Sequence, residues 1–92
     1  MYSLEFHPLA LKEWQKLDNT IREQFKDKLT ERLQNPCVPS AKIGKNRYKI
    51  KLRNAGYRLV YEVRDNELII VVVAVGKREQ NTAYRLADNR KP

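Results

Sequence analysis

The chain has 92 residues, 41% of them hydrophobic and 33% charged, with a formal net charge of +8. A chain this short makes one domain and buries only about 60% of the surface its unfolded form exposes. Its composition suits a folded domain with a polar skin and excludes a disordered tail, and its longest apolar run, Leu68 to Val75, is far below the ~18 residues of a membrane-spanning helix.

The opening MYSLEFHPL has no basic start and no apolar signal core, so export is not expected. Apolar and polar positions alternate over residues 2–6, which predicts a short strand. His7-Pro8 breaks the strand, and Pro8 suits the first turn of a helix. Ala10, Trp14 and Leu17 follow at helical spacing, giving a helix over 8–17. Asp18-Asn19 reads as a turn. Thr20 to Glu23 matches the capping box, a hydroxyl followed three residues later by a carboxylate. Ile21, Phe25, Leu29 and Leu33 then recur every fourth residue, one apolar stripe of a second helix over 20–34. Its other face mixes Arg22, Glu23, Lys26, Asp27, Glu31 and Arg32, as a solvated face with intrahelical pairing does.

Two prolines, Ser40 and Gly44 make residues 36–46 a loop. Its Cys37 is the only cysteine, so no internal disulfide forms and no cysteine cluster is there for zinc. Together with the lack of a signal segment, this places the chain in the cytoplasm. Residues 47–53 alternate as a strand, Asn54-Ala55-Gly56 is a short hairpin connection, and Tyr57 to Arg64 is the partner strand. Asp65-Asn66 turns the chain again. Leu68 to Val75 is apolar on both faces, as in a central strand covered on each side. Residues 79–88 form a short helical tail. The expected class is therefore α+β: a strand, a helical hairpin, a three-strand antiparallel meander and a C-terminal helix.

The charge is unevenly placed. Residues 1–37 carry six basic and six acidic side chains, while residues 38–92 carry thirteen basic and five acidic ones. From Lys42 to Arg58 there are seven basic residues and no acid. Such a one-sided field meets a polyanion: nucleic acid first, then an acidic protein, then an anionic membrane surface.

Strand parity arranges these cations. With Ile50 and Leu52 toward the helices, Lys49 and Lys51 face away; with Tyr57, Leu59 and Tyr61 toward the helices, Arg58 also faces away. In a meander, the end of its first strand, the start of its second and the end of its third share one edge. Lys49, Lys51, Arg58 and Arg78 therefore collect at one end of the open sheet face, from positions up to 29 apart. Like charges held together repel, and the arrangement is suited to holding an anion. Tyr84, six residues past Arg78, is placed to fold over the same end, where an aromatic stacks on an exposed base or packs against the sheet.

The segments YKIKLRNAGYRLVYEV and IIVVVAVGKRE, the tyrosine that follows, and the opening LKEWQKLDNTIREQFKDKL resemble the RelE toxins of bacterial toxin–antitoxin modules over essentially the whole chain. The resemblance implies cleavage of messenger RNA in the ribosomal A site, close to 16S rRNA, and a cognate antitoxin that blocks it. The partners expected are thus antitoxin, ribosome and mRNA, without a membrane and without a cofactor or metal. Matched onto this sequence, the family's active residues are Lys49, Lys51, Arg58, Arg78 and Tyr84. The neighbouring Lys42, Lys45, Arg47, Arg53 and Lys77 are expected to contact RNA.

RNA carries its own nucleophile. Attack of the 2′-OH on the adjacent phosphate gives a 2′,3′-cyclic phosphate and a 5′-OH, and needs a base, charge stabilisation and an acid. The only histidine, His7, lies away from the cluster. Neighbouring cations lower a lysine pKa, which makes Lys51 the candidate base, with Lys49 the alternative. Arg58 and Lys49 would hold the phosphate, Arg78 would stabilise the leaving oxygen, and Tyr84 would stack on a base. Two other readings remain open: a gyrase inhibitor of the related ParE branch, which lacks the basic catalytic set, and an RNA- or ribosome-binding module that does not cleave.

Overall fold

A computed structural model of the chain describes residues 1–79 and 82–90. Strand β1 (Ser3–Phe6) leads into helices α1 (Pro8–Gln15) and α2 (Asn19–Gln34). Strands β2 (Arg47–Leu52), β3 (Tyr57–Arg64) and β4 (Ile69–Lys77) follow, then helix α3 (Thr82–Asp88). Short 3-10 turns lie at Pro39–Ala41 and Asp65–Glu67. The α+β class and the element order are those expected from the sequence.

Local chemistry sets the helix ends. His7 caps α1: its Nδ1 accepts from the Leu9 N–H at 3.1 Å, one of the donors that a helix start leaves unpaired. The cap of α2 corrects the capping-box expectation. Asp18, not Thr20, is the N-cap, and its carboxylate accepts from the Thr20 N–H at 3.3 Å. Asp18 has extended backbone angles (φ −59°, ψ 146°), so the helix begins one residue before Thr20. The apolar stripe of α2 behaves as expected, with Phe25 and Leu29 buried and Ile21 and Leu33 packed against the same core. A tilted aromatic ladder of Phe6, Trp14 and Phe25, with centroids 5.2 and 6.2 Å apart, ties β1, α1 and α2 together.

The sheet order is β1-β4-β3-β2. β2, β3 and β4 form the antiparallel meander, and β1 pairs in parallel with β4. The parallel pairing follows from the helical hairpin, because parallel neighbours need a long crossover between them. It makes β4 an inner strand, which accounts for its apolar run: Ile70 to Val75 are all buried.

Between Val60 and Tyr61 the register slips, so that Val60 opposes Ala74 while Tyr61 opposes Val72. Val73 is the extra residue, a β-bulge that shifts the alternation of β4. As a result Val72 and Val75 join the core under α1 and α2, while Val73 and Ala74 lie on the other face with Val60. β3 keeps strict alternation, so the orientation read for Arg58 stands.

The second face is not open, as the sequence suggested. α3 lies across it and packs Ala83 and Ala87 on Val60, Val73 and Ala74. Gly76 permits the close approach: a Cβ there would sit 3.0 Å from Thr82 Cγ2 and 3.2 Å from the Ala83 nitrogen. Among the described residues, what stays uncovered on this face is its end beside the β2–β3 hairpin.

Candidate active site

The hairpin turn builds the floor of the site. Gly56 has φ +71°, the left-handed region that glycine enters at little cost, and its N–H donates to the Leu52 carbonyl at 2.8 Å. The Arg78 N–H donates to the Gly56 carbonyl at 2.7 Å, fastening the exit of β4 to the turn. Across the strands Lys51 pairs with Arg58, and Arg58 with Gly76. Lys49 lies two residues before Lys51 and so on the same face. The parity and meander geometry therefore converge as expected, at the rim left by α3.

A depression of about 190 Å³ sits there, lined by Lys51, Leu52, Arg53, Gly56, Tyr57, Arg58 and Arg78. Among the described residues its wall carries four cationic side chains and no carboxylate. A second hollow, of about 370 Å³, shares Gly56, Tyr57 and Arg78 and adds Asn54, Ala55, Lys77 and Glu79. An extended anionic chain thus has room on both sides of Arg78.

Electrostatics single out one lysine. The Lys51 ammonium is held below the ordinary lysine pKa, first by the charge of Lys49, then by partial loss of solvent, then by Arg58 and Arg53. A lowered pKa makes the neutral amine more available as a base near neutral pH. Tyr48, one strand position before Lys49, is buried in the core. Its phenol is pushed up to about 12 by a hydrogen bond with Cys37 and by burial, so it stays neutral and structural.

Tyr84 comes to the same end. The Arg58 guanidinium carbon lies 5.3 Å from the centroid of its ring, within cation–π range. The ring also packs against the Val60, Val73 and Ala74 cluster. Its hydroxyl is buried and has no hydrogen-bond partner among the described residues. An unpaired buried hydroxyl costs about 1–3 kcal/mol. Tyr84→Phe is therefore expected to stabilise the fold by about 1 kcal/mol, seen as a rise of ~4–8 °C in the thermal midpoint.

Comparison with known proteins shows the family of the chain. A family profile described as the ParE toxin of the type II toxin–antitoxin system parDE matches residues 4–82. A putative RelE-like toxin protein of Escherichia coli is 56% identical, over 97% of this chain and 96% of that protein. The mRNA interferase toxin RelE of Escherichia coli K12 is 48% identical over the same shares. The chain belongs to the RelE/ParE toxin family. Solved structures give the same answer. Isolated E. coli RelE toxin matches with a TM-score of 0.84 at 48% identity, covering 98% of both chains. A chain of the intact E. coli RelBE toxin–antitoxin complex matches at 0.83 and 49% identity, covering 87% of this chain and 100% of that one.

The other cations expected to contact RNA in this RelE-family chain lie partly in the cluster and partly beyond it. Arg53 lines the first hollow and Lys77 the second. Lys42 and Lys45 are exposed in the loop before β2, at the end of that strand away from Lys51, where Lys42 bridges to Tyr48. Arg47 does not join the cationic rim. Its guanidinium donates to the carbonyls of Ala87 and Arg90, the latter at 2.7 Å, and pairs with Glu62 at 3.4 Å. It clamps the C-terminal end of α3.

Three supporting residues escaped the sequence reading. Arg32 leaves the solvated face assigned to it and reaches the edge of the sheet. It donates to the Lys49 carbonyl at 3.1 Å and to the Tyr61 hydroxyl at 2.9 Å. Lys49 is thus held from beneath by α2. Glu13 and Arg90 form a two-bond ion pair, 2.8 and 2.7 Å, where β1 has ended and the β4 backbone lacks a neighbour. There Glu13 accepts from the Val75 N–H at 3.1 Å, and Arg90 donates to the Val73 carbonyl at 3.0 Å. The signal for Arg32 was weak but present: it follows Leu29 by three positions and precedes Leu33, beside the apolar stripe.

Proposed function

We propose that this toxin cleaves messenger RNA on the ribosome at the hairpin end of its sheet, and that the cognate antitoxin of its module blocks that end or the helix beside it. Support for cleavage comes first from one observation. Lys51 and Arg58 face each other across β2 and β3 in a pocket with Arg53 and Arg78 and, among the described residues, no acid. The named activity of the E. coli relative, an mRNA interferase, supports the same reading. The antitoxin partner is supported by the RelBE complex among the matching structures.

In the proposed reaction the neutral Lys51 amine takes the proton of the 2′-OH. The 2′-oxygen then attacks the adjacent phosphorus, and the bond to the 5′-oxygen breaks. Lys49 and Arg58 counter the charge that grows on the phosphoryl oxygens, as fixed cations do in a transition state. Arg78, at the wall shared by the two hollows, stabilises the departing 5′-oxygen, which takes up a proton from solvent water to leave as the 5′-OH. Tyr84 stacks on a base and aligns the sugar. Lys42 and Lys45 meet RNA beyond the reacting nucleotides, and Arg53 and Lys77 meet it next to them.

Arginine holds its proton above pH ~12 and is a weak acid, so the set is poor at free RNA and gains from a substrate held in line. Ribosome-bound message supplies that alignment, and the ribosome is accordingly proposed as the site of action in the cytoplasm. Among the described residues no helix is long and apolar enough to cross a membrane.

Primer extension on a translated message, with and without ribosomes, tests this. Cuts that appear only with ribosomes are expected. Intact message accompanied by DNA breaks would instead favour the gyrase reading that the ParE profile keeps in view. Salt-sensitive RNA binding without any cut would reduce the protein to a binding module.

A further inference from the structure

Strand β2 is an edge of the sheet, with β3 on one side only. Antiparallel pairing alternates the backbone groups of such a strand between its partner and the open side. The Asn46 carbonyl accepts from the Val63 N–H of β3 at 2.8 Å, so even-numbered positions turn toward β3 and Arg47, Lys49 and Lys51 turn outward. Two attachments take up that outer side. The Ile43 N–H donates to the Arg47 carbonyl at 2.9 Å. Arg32 of α2 donates to the Lys49 carbonyl at 3.1 Å, and of the two it lies nearer Lys51. Arg32 is itself held. The same Nη1 donates to the Tyr61 hydroxyl at 2.9 Å, and that hydroxyl donates to the Pro36 carbonyl at 2.7 Å. The Tyr61 ring is fully buried, stacks on Tyr48, and lies 5.8 Å from the guanidinium carbon. Ordering a long arginine side chain costs rotamer entropy, and here a buried residue of the neighbouring strand holds it in place.

We infer that Arg32, anchored by Tyr61, is a positioning residue: it pins the edge of β2 at Lys49 and so keeps the Lys49 ammonium close to Lys51 on the open face. Its part in the reaction rests on Lys51 being the base proposed above. The charge of Lys49 is the first cause of the lowered Lys51 pKa, and the repulsion between two ammonium groups weakens as they separate. An edge strand freed at Lys49 lets the two side chains move apart. The Lys51 pKa then rises, and less neutral amine is present near pH 7. Arg32 thus acts on the proposed reaction through the charge of Lys49, without touching RNA.

An NMR titration of the Lys51 side chain in the free protein tests this without ribosomes or cleavage. Arg32→Met should raise the Lys51 midpoint by about half a pH unit, which cuts the neutral amine near pH 7 about threefold. Single-turnover cleavage near pH 7 should slow by the same factor, with its rising limb at higher pH and ribosome binding unchanged. Loss of the Arg32 charge would raise the midpoint by itself, and two further variants separate charge from position. In a Lys49→Met background, Arg32→Met should leave the Lys51 midpoint where it is, because the charge it acts through is gone. A shift that persists in that background would overturn the inference. Tyr61→Phe alters no charge and keeps the ring stacked on Tyr48, but removes the hydroxyl that anchors Arg32. It should move the midpoint in the same direction as Arg32→Met, and it keeps the test open where Arg32→Met does not fold. A midpoint unmoved by Tyr61→Phe would also overturn the inference. Cleavage at the wild-type rate by Lys51→Ala would instead remove the proposed base, whatever the titration shows.

Discussion

Lys51→Ala is expected to slow cleavage of ribosome-bound message by about 10²–10⁴-fold, the usual contribution of a positioned base. The loss should fall on the chemical step under single-turnover conditions, with little change in ribosome binding. The pH dependence then separates Lys51 from its neighbour. A base works unprotonated, so the rate should climb with pH until the Lys51 ammonium has lost its proton. The charge of Lys49 is the first cause holding that pKa down, ahead of burial and Arg58. Lys49→Met removes this cause, so the Lys51 pKa rises toward the ordinary lysine range. Less neutral amine is then present near pH 7, and the rising limb of the profile moves to higher pH. If Lys49 were the base instead, its loss would lower the rate at every pH without moving that limb.

Glu13→Ala is expected to cost about 3 kcal/mol, near the low end for breaking a buried ion pair from one side. The low end applies because Glu13 retains 24% of its side-chain surface while Arg90 retains 9%. Removal leaves the Arg90 charge buried and also strips the Val75 N–H of its acceptor. In a domain of this size the thermal midpoint should drop by on the order of 12 °C or more. Replacing both partners by apolar residues, Glu13→Leu with Arg90→Met, should recover part of the loss, since no unpaired charge remains. Recovery stays incomplete because the backbone groups of Val73 and Val75 lose their partners too. A change below about 2 °C for Glu13→Ala would show that the pair bears little of the fold's stability.

The cluster was legible because it depends on alternation within β2 and β3 and on the connectivity of a meander, both local in sequence. Parity set the face of Lys49, Lys51 and Arg58, and the meander connectivity brought Arg78 to them. Even the crowding of Lys51 follows from its two nearest basic neighbours on one face. The intramolecular partners of Arg47 show where this reasoning stops. Arg47 has the same parity as Lys49 and Lys51, yet its partners are Glu62 and the carbonyls of Ala87 and Arg90, up to 43 positions away. No local pattern marks a side chain whose role is to receive a distant helix end.

The same distance hid the Glu13–Arg90 pair, 77 positions apart. Two charged residues in unrelated segments carry no periodicity, and only the end of β1 at Phe6 exposes the β4 backbone that they satisfy. The bulge at Val73 was invisible for another reason. In an all-apolar strand every position is hydrophobic, so a shift of phase leaves no mark. The docking of α3 depended on that shift, and with it the fact that the cationic face is open only beside the hairpin. The α2 cap erred by two residues because Asp18 and Thr20 are both competent caps, and the choice rests on the tight turn that precedes the helix.

The chemistry of the cut ends tests the central claim most directly. Message cleaved by the purified toxin on ribosomes should carry a 2′,3′-cyclic phosphate upstream and a 5′-OH downstream, and these ends should vanish with Lys51→Ala. Ends bearing a 3′-OH and a 5′-phosphate, or cleavage that survives Lys51→Ala at the wild-type rate, would contradict attack by the 2′-OH with Lys51 as its base.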